Sequence, residues 1–346
     1  MNKNEVENII EIEDVHVNFT VKQKKLNVRA VDGVTLSIRA GEILAVVGES
    51  GCGKTTLGKT ILNIVKPTSG TIKYRGRDLT GVPKKELQRM RQKLQLIFQD
   101  PYEALDPRQN VYKTLLEPLA IHRSDLSEEE KRKLIYQYIE AVGLHPAASI
   151  AERFPHHLSG GQRQRLSIAS TMILEPEFVV ADEPVSMLDV SIRAEILKLM
   201  LDMQKKNSLT YMFITHDLSL AWMIADRIAV FYLGKMVEIG PAQEVVHRCR
   251  HPYTKALVSV IPTVEEHKDE RHVLIGETPS PTQVSEGCRF HPRCWFYHKK
   301  SCPEICRTTQ PDLAVIGDDH KVACHFAEEV NSPQAGEAVE ERKPSL

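Results

Sequence analysis

Apolar residues between Ile9 and Ile38 come in short, β-branched bursts, IIEIEDVHVNF and then VRAVDGVTLSI, that alternate roughly in twos. Such bursts predict strands of an antiparallel sheet with one buried face. The stretch GEILAVVG differs, because its apolar run is continuous and ends in glycines, which predicts a strand buried on both faces. The next residues, KTTLGKTILNIV, place Leu57, Ile61, Leu62 and Val65 on one face of a helix. Residues 102–155 are mainly helical in pattern, with charge runs such as SEEEKRKL and no strong strand. The pattern then alternates again through FVVADE, RAEILKLMLDMQKK, YMFITHD, LSLAWMIADRI and IAVFYLGKMVEIG. Strand–helix alternation of this kind predicts a parallel α/β core, with residues 102–155 inserted into it as a helical block. After Pro262 the chain becomes polar and Pro/Gly-bearing, which predicts a linker with a short strand. A Cys-rich piece runs from about Cys288 to His325, and the tail NSPQAGEAVEERKPSL is expected to be disordered. No long internal repeat is visible.

The 346 residues exceed one typical core, so a large domain with an appendage, or two domains, is expected. The pattern divides them into an α/β domain over 1–262, a Cys-bearing domain over 263–328 and a tail over 329–346. Lys and Arg number 45 against 46 Asp and Glu, so the basic surplus usual for a nucleic-acid partner is missing. The strongest apolar runs, Ile43–Val47 and Phe178–Ala181, fall far short of a bilayer's thickness. The N-terminus is acidic and lacks the apolar stretch of a signal peptide. A cytosolic chain is therefore expected, with any membrane role reached through a partner. Five of the seven cysteines follow residue 287, and in a cytosolic chain that argues for metal or cluster ligation over disulfides.

Gly48-Glu49-Ser50-Gly51-Cys52-Gly53-Lys54-Thr55 fits the P-loop pattern G-x-x-x-x-G-K-[ST], and Thr56 follows it. The chemistry needs glycines so that backbone N–H groups turn inward to phosphate oxygens. Lys54 reaches the β- and γ-phosphates, Thr55 offers a hydroxyl to Mg²⁺, and the next helix adds its positive end. A strand before the loop and a helix after it are the context this motif requires. An apolar strand ending in acid, Phe178-Val-Val-Ala-Asp182-Glu183, supplies a second element. Asp182 would hold Mg²⁺, directly or through water, and Glu183 would polarise the attacking water. His216 closes another apolar strand, where a histidine can contact the γ-phosphate, although a lone strand-end His is more often structural.

Leu158-Ser159-Gly160-Gly161-Gln162 resembles the signature of ATP-binding cassette (ABC) proteins, a five-residue match that average usage gives by chance in roughly one chain in two thousand. A serine and two glycines at a helix start present a hydroxyl and free N–H groups, a second anion site. The resemblance covers about residues 9–262 and implies a P-loop ATPase core with an antiparallel β subdomain and a helical subdomain at about 102–165. It implies that the signature grips the γ-phosphate held by a sister subunit's P-loop. It also implies that Phe19 stacks on adenine, unless Phe19 is a plain core residue. Gln99, in LIFQDP, matches the family's glutamine that senses Mg²⁺, water and the transmembrane partner. Ser186-Met-Leu-Asp189 resembles the loop that crosses the dimer interface, and His216 the switch histidine. Val185 and Met187 stand where the family usually has Thr and Ala.

Within that family, AVDGV, VGESGCGKTTLGKTIL, FQDPYEALDPR, GGQRQRL and HPYTKALVSVIP look like the ATPases of oligopeptide/dipeptide importers, in detail the second of two paired subunits. The resemblance implies ATP hydrolysis at the cytoplasmic face of the membrane, beside a related ATPase, two permeases and an extracytoplasmic solute-binding protein. Oligosaccharide uptake is the nearest alternative. A soluble ABC ATPase acting on ribosomes or DNA is a further one, but two cassettes or a long coiled-coil insertion are absent from the sequence.

Cys288, Cys294, Cys302, Cys306 and Cys324 crowd the end of the chain, and four thiolates hold tetrahedral Zn²⁺ or a [4Fe–4S] cluster. The wording GCRFHPRC, CRTTQPDL and VACH resembles the importers' C-terminal domain, which carries [4Fe–4S]; that resemblance selects Cys288, Cys294, Cys306 and Cys324. Cys302 stays open as a replacement for Cys306, and His291, His298 and His325 keep zinc open. Metal-free cysteines, or a redox sensor that regulates the ATPase, are the other readings. Cys249 has no assigned role, and oxidation or alkylation of Cys52 inside the P-loop would block nucleotide.

Overall fold

The computed structural model describes residues 7–21, 26–261, 272, 274, 276–282, 284–317 and 319–330. β1 (Asn8–Val21) and β2 (Leu26–Arg39) pair antiparallel, with Ile12 opposite Leu36 and Val17 opposite Val31, all four buried. Register shifts between Ile12 and His16 explain why the sequence alternates only roughly in twos. β3 (Ile43–Val47) is buried throughout, as its unbroken apolar run requires.

The helix that follows, α1 (Lys54–Ile61), is shorter than the pattern predicts. Asn63 takes the left-handed conformation (φ 52°) and its amide donates to the Leu79 carbonyl, ending the helix. Leu62 is therefore the helix cap, and Val65 lies beyond the helical face expected for it. β4 (Ser69–Tyr74) and β5 (Arg77–Asp78) complete an antiparallel sheet in the order β2-β1-β4-β5. After α2 (Lys84–Met90) comes β6 (Leu94–Ile97), a strand too short for the burst pattern to single out.

The inserted block is helical as predicted, with α3 (Pro101–Ala104), α4 (Val111–His122), α5 (Glu128–Ala141), α6 (Ala147–Ala151) and a 3-10 turn at Pro155–His157. Asn110 caps α4, and Ser127 with Glu130 forms a capping box on α5. Val111, Leu115, Leu119, Ile135 and Ile139 share one core with α7 (Gly160–Met172) and the parallel sheet. β7 (Phe178–Asp182), α8 (Val190–Asn207), β8 (Thr210–Thr215), α9 (Leu218–Ile224) and β9 (Arg227–Tyr232) continue the α/β alternation. The parallel strands run in the order β9-β3-β8-β7-β6. At their amino edge a buried ion pair, Arg227 Nη1 to Glu42 Oε1 at 3.2 Å, ties the start of β9 to the start of β3.

The chain divides into two compact units, one of residues 1–236 with 278–284 and one of 237–277 with 285–346. The change of sequence character at Pro262 thus differs from the change of compact unit, which falls inside β10 (Lys235–Pro241). In the second unit follow α10 (Ala242–His247), α11 (Pro252–Val258), α12 (Trp295–Lys299), α13 (Ile305–Thr308), β11 (Ala314–Gly317) and β12 (His320–Val322). β12 pairs antiparallel with both β10 and β11. The fully buried Glu238 carboxylate accepts from the Arg250 and His251 amides (2.7 and 3.1 Å) and meets His320 Nε2 at 2.9 Å. A buried carboxylate so provided with partners clamps the start of α11 to the hairpin.

The short strand expected in the linker falls partly outside the described residues, and those described between 272 and 282 form none. Of the tail expected to be disordered, Glu329 and Val330 instead close a turn on Phe326, with Val330 buried; residues 331–346 lie outside the described residues. No helix among the described residues is long and apolar enough to cross a membrane.

Candidate nucleotide site and cysteine cluster

Parallel register places the candidate residues together before any side chain is considered. Val47 lies opposite Thr215, Asp182 opposite Ile214, and Ile97 opposite Ala181. The carboxyl ends of β3, β8, β7 and β6 therefore release the phosphate loop, His216, Glu183 and Gln99 along one edge. In open α/β sheets this edge is where ligands bind.

The loop from Gly48 to Gly53 is bent back on itself. Gly53 has φ 107°, and a Cβ there would stand 2.0 Å from the Ala30 carbonyl oxygen, so only glycine fits. The Gly234 amide donates to the Cys52 carbonyl at 2.7 Å, fixing the loop from outside. Lys54 is buried, and its ammonium donates to the carbonyls of Gly48 (2.7 Å) and Glu49 (2.9 Å). Cys52 Sγ lies 3.8 Å from the same ammonium, and burial pushes its thiol above the ordinary range despite that charge. Thr55 donates its hydroxyl to Asp182 at 2.9 Å. Burial raises the Asp182 carboxyl, and the Thr55 hydroxyl works against that rise. Hard oxygen donors converge here, as Mg²⁺ demands.

Glu183 sits one residue past the strand in the left-handed conformation, φ 44°. Such backbone is costly for a non-glycine residue and persists only where surroundings impose it. Here the Glu183 amide donates to the Ile214 carbonyl at 3.0 Å. Its carboxylate accepts from Gln99 Nε2 at 3.3 Å and meets His216 Nδ1 at 3.1 Å. Three residues from three strand ends thus hold one another at the same edge.

Ser159 caps α7: its hydroxyl oxygen accepts from the Gln162 amide at 3.3 Å, and Gln162 Oε1 accepts from the Ser159 amide at 3.0 Å. That box leaves the Ser159 hydroxyl proton and the Gly160 and Gly161 amides at the helix start. Among the described residues no hydrogen bond joins this motif to the phosphate loop. Asp189 is exposed at the start of α8, beside the exposed Met187 and Val190. Phe19, on β1, is 43% exposed, which removes the core reading. Cassette motifs therefore fall into two sets, one joined by hydrogen bonds at the strand ends and one outside that network.

Between α4, α7 and β6 lies a groove of about 570 Å³, lined in part by Ile64, Gln95, Glu103, Glu117, Ile121 and His122. Sequence reasoning missed the role of Arg163. The Arg163 guanidinium lies over the Tyr102 ring at 4.4 Å and donates to the Leu158 carbonyl at 2.6 Å, joining α3 to the residue before Ser159. A second missed residue is Thr278, within the stretch read as a linker, whose hydroxyl donates to Glu49 at 2.8 Å. The run T-P-S-P was the only available sign, since proline stiffens a segment without revealing its contacts.

In the second unit Cys288, Cys294, Cys306 and Cys324 line one small cavity walled by Phe290 and Phe296, whereas Cys302 is exposed and not in that lining. The Cys288 amide donates to the Cys306 carbonyl at 2.9 Å. That crossing needs Gly287, where a Cβ would stand 2.4 Å from the Arg307 carbonyl carbon. Burial pushes the Cys288 thiol up to about 11 and those of Cys294 and Cys324 up to about 12, and raises Cys306 as well. Among the described residues no group of three or more His, Cys, Asp or Glu side chains is placed to hold a metal ion.

Residues 31–186 match the family profile described as ABC transporter, and residues 237–302 match that of the oligopeptide/dipeptide transporter C-terminal region. The putative oligopeptide transport ATP-binding protein YkfD of Bacillus subtilis (strain 168) is 45% identical over 321 residues, 92% of this chain and 95% of its own length. The dipeptide transport ATP-binding protein DppF of Escherichia coli (strain K12) is 44% identical over 308 residues, 89% of this chain and 90% of its own length. Among solved structures, a dimeric post-hydrolysis state of the ATP-binding cassette MJ0796 bound to ADP and Pi aligns at TM-score 0.61. It is 26% identical and spans 67% of this chain and 98% of that one.

Proposed function

This chain belongs to the ABC transporter family, among the ATP-binding proteins of oligopeptide and dipeptide transport, and from that premise we propose how its residues energise peptide uptake. The observation that carries the reading is the common edge to which adjacent parallel strands bring Lys54, Thr55, Gln99, Asp182, Glu183 and His216. Lys54 gives up its carbonyl partners for the β- and γ-phosphate oxygens, which are stronger acceptors. Thr55, Asp182 and Gln99 would hold the Mg²⁺ that travels with ATP and offsets its charge. Glu183 takes a proton from water as the water oxygen attacks the γ-phosphorus, and the bond to the ADP oxygen breaks. His216, held against Glu183, orients that attack, and Phe19 stacks on adenine.

Ser159, Gly160 and Gly161 close on the γ-phosphate of a companion ATPase, and Asp189 with its exposed apolar neighbours lies along that contact. We infer that the companion is a related chain rather than a second copy. The groove beside α4 seats a short helix of a permease, and Gln99 relays its position to Glu183. ATP binding to the closed pair shifts the permeases toward the outward-facing state. A solute-binding protein delivers the peptide from the far side. Reconstituted with its companion, two permeases and the binding protein, the chain is expected to drive ATP-dependent accumulation of a labelled dipeptide in vesicles. ATP hydrolysis stimulated by an oligosaccharide and indifferent to peptide would overturn the substrate assignment.

We propose that residues 263–328, most of which lie in the second unit, form a smaller domain after the cassette of residues 1–262. We propose that Cys288, Cys294, Cys306 and Cys324 hold a [4Fe–4S] cluster, which would supply one-electron redox chemistry. The four thiols share an aromatic-walled cavity, burial holds each above the ordinary thiol range, and a bound metal would take them as thiolates. Zn²⁺, with Zn–S of about 2.3 Å, needs its sulfurs within about 4 Å of one another. The described residues offer no such group already placed, so the choice of a cluster over zinc rests on the resemblance carried by GCRFHPRC, CRTTQPDL and VACH. Anaerobically purified protein is expected to contain iron and acid-labile sulfide in equal amounts. Substituting any of the four by Ser should abolish both, whereas Cys302→Ser should retain them. Zinc in place of iron, or loss of iron in Cys302→Ser alone, would count against this set.

A further inference from the structure

Arg163 stands near the start of α7, where a cation opposes the positive end of the helix dipole, so other groups must hold it there. Its Nη1 donates to the Leu158 carbonyl at 2.6 Å and to the Pro155 carbonyl at 3.4 Å, which closes the 3-10 turn directly before Ser159. The guanidinium lies over the Tyr102 ring at 4.4 Å, and its Nε is buried without a hydrogen-bond partner among the described residues. Ring and carbonyls thus hold the charge between them. Tyr102 belongs to a short, stiff piece of chain. Asp100 caps α3 by accepting from the Tyr102 amide at 2.9 Å, and Pro101 between them fixes the backbone. Gln99, whose Nε2 donates to Glu183, directly precedes this piece, and Glu103 and Ala104 of α3 line the groove beside α4.

We propose that Arg163 is a positioning residue for the signature, set between Tyr102 and the Leu158 and Pro155 carbonyls so that it fixes where the Ser159 hydroxyl and the Gly160 and Gly161 amides stand. The proposal rests on the reading that these groups meet the γ-phosphate of a companion ATPase. The carbonyl that Arg163 holds most closely belongs to the residue before Ser159, so a shift of the guanidinium moves the cap of α7 itself. α3 sits on the ring side of the same cation, and a displaced α3 therefore alters what this chain offers its companion. Among the described residues no hydrogen bond joins Arg163 to the phosphate loop, so the affinity of this chain's own site is set separately.

The test compares wild-type chain with Arg163→Met, which keeps a long side chain and removes the charge, and with Tyr102→Leu, which removes the ring. ATP-dependent pairing with the companion, followed by sedimentation, should weaken about tenfold in Arg163→Met, for loss of a charge-assisted hydrogen bond. In Tyr102→Leu it should weaken about two- to fivefold, for loss of the cation–π contact. The Kd of each lone variant for Mg-ATP should stay within about twofold of wild type, and Tyr102→Phe, which keeps the ring, should pair as wild type does. Adding Tyr102→Leu to Arg163→Met should cost nothing further, because the two act through one contact. Unchanged pairing, weakened Mg-ATP binding by the lone variants, or additive losses in the double variant overturns the proposal. Tyr102 is exposed, so its substitution leaves a folded chain to measure even where Arg163→Met does not fold. Ser159→Glu, which sets a negative charge against the phosphate, should weaken pairing more than either. A Ser159→Glu chain that pairs normally would instead overturn the reading of the signature itself.

Discussion

Glu183→Gln is expected to lower phosphate release by about a hundred- to ten-thousand-fold, the range for loss of a general base, while ATP stays bound. The amide is isosteric with the carboxylate. Its oxygen still accepts from Gln99, and the left-handed backbone at φ 44° is no worse for Gln than for Glu. What disappears is the group that takes the proton from water. Because closure is driven by binding and reopening by loss of the γ-phosphate, the variant should accumulate as an ATP-loaded pair with its companion. Single-turnover phosphate release and size-exclusion chromatography with Mg-ATP measure the two halves of this expectation. Turnover at the wild-type rate would remove Glu183 from the reaction.

Lys54→Ala should act earlier, on binding. The ammonium donates two hydrogen bonds inside the loop, to the Gly48 and Glu49 carbonyls, and both would be redirected to phosphate. Charge-assisted bonds of this kind are each worth about 1.5–3 kcal/mol, so affinity for Mg-ATP should fall by at least about a hundredfold. The loop itself should also loosen, since two carbonyls lose a buried donor. Calorimetric titration gives the affinity, and thermal unfolding without nucleotide gives the cost to the loop. Affinity within a few-fold of wild type would mean that the phosphates lie elsewhere.

Much of this site was legible before any coordinates. A phosphate loop imposes glycine where the backbone must turn left or pass close to another chain, so Gly53 and its neighbours write their geometry into residue type. FVVADE was legible for a similar reason, because a strand buried on both faces leaves its polar residues only at the end. Contacts distant in sequence left no such trace. Nothing local to TPSP indicates Glu49, and nothing in VVADE announces that Glu183 takes left-handed backbone with its amide on the Ile214 carbonyl across the sheet. β6 escaped because four residues are too few for a period. The end of α1 escaped because an asparagine, rather than a glycine, takes the left-handed position. The unit division inside β10 is likewise invisible to composition, since apolar Met236 and Val237 flank it directly.

The tight crossing at Gly287 has a further consequence for reading related chains. Two backbone paths approach there more closely than any side chain allows, and each delivers a thiol to the shared cavity. A glycine directly before the first of these thiols is therefore a covariant mark of that arrangement. Chains that keep the later cysteines but carry a larger residue at this point must route the backbone differently. Their sulfurs would then enclose a space of another size, so one position separates homologues that share this four-thiol cavity from those that share only its cysteines.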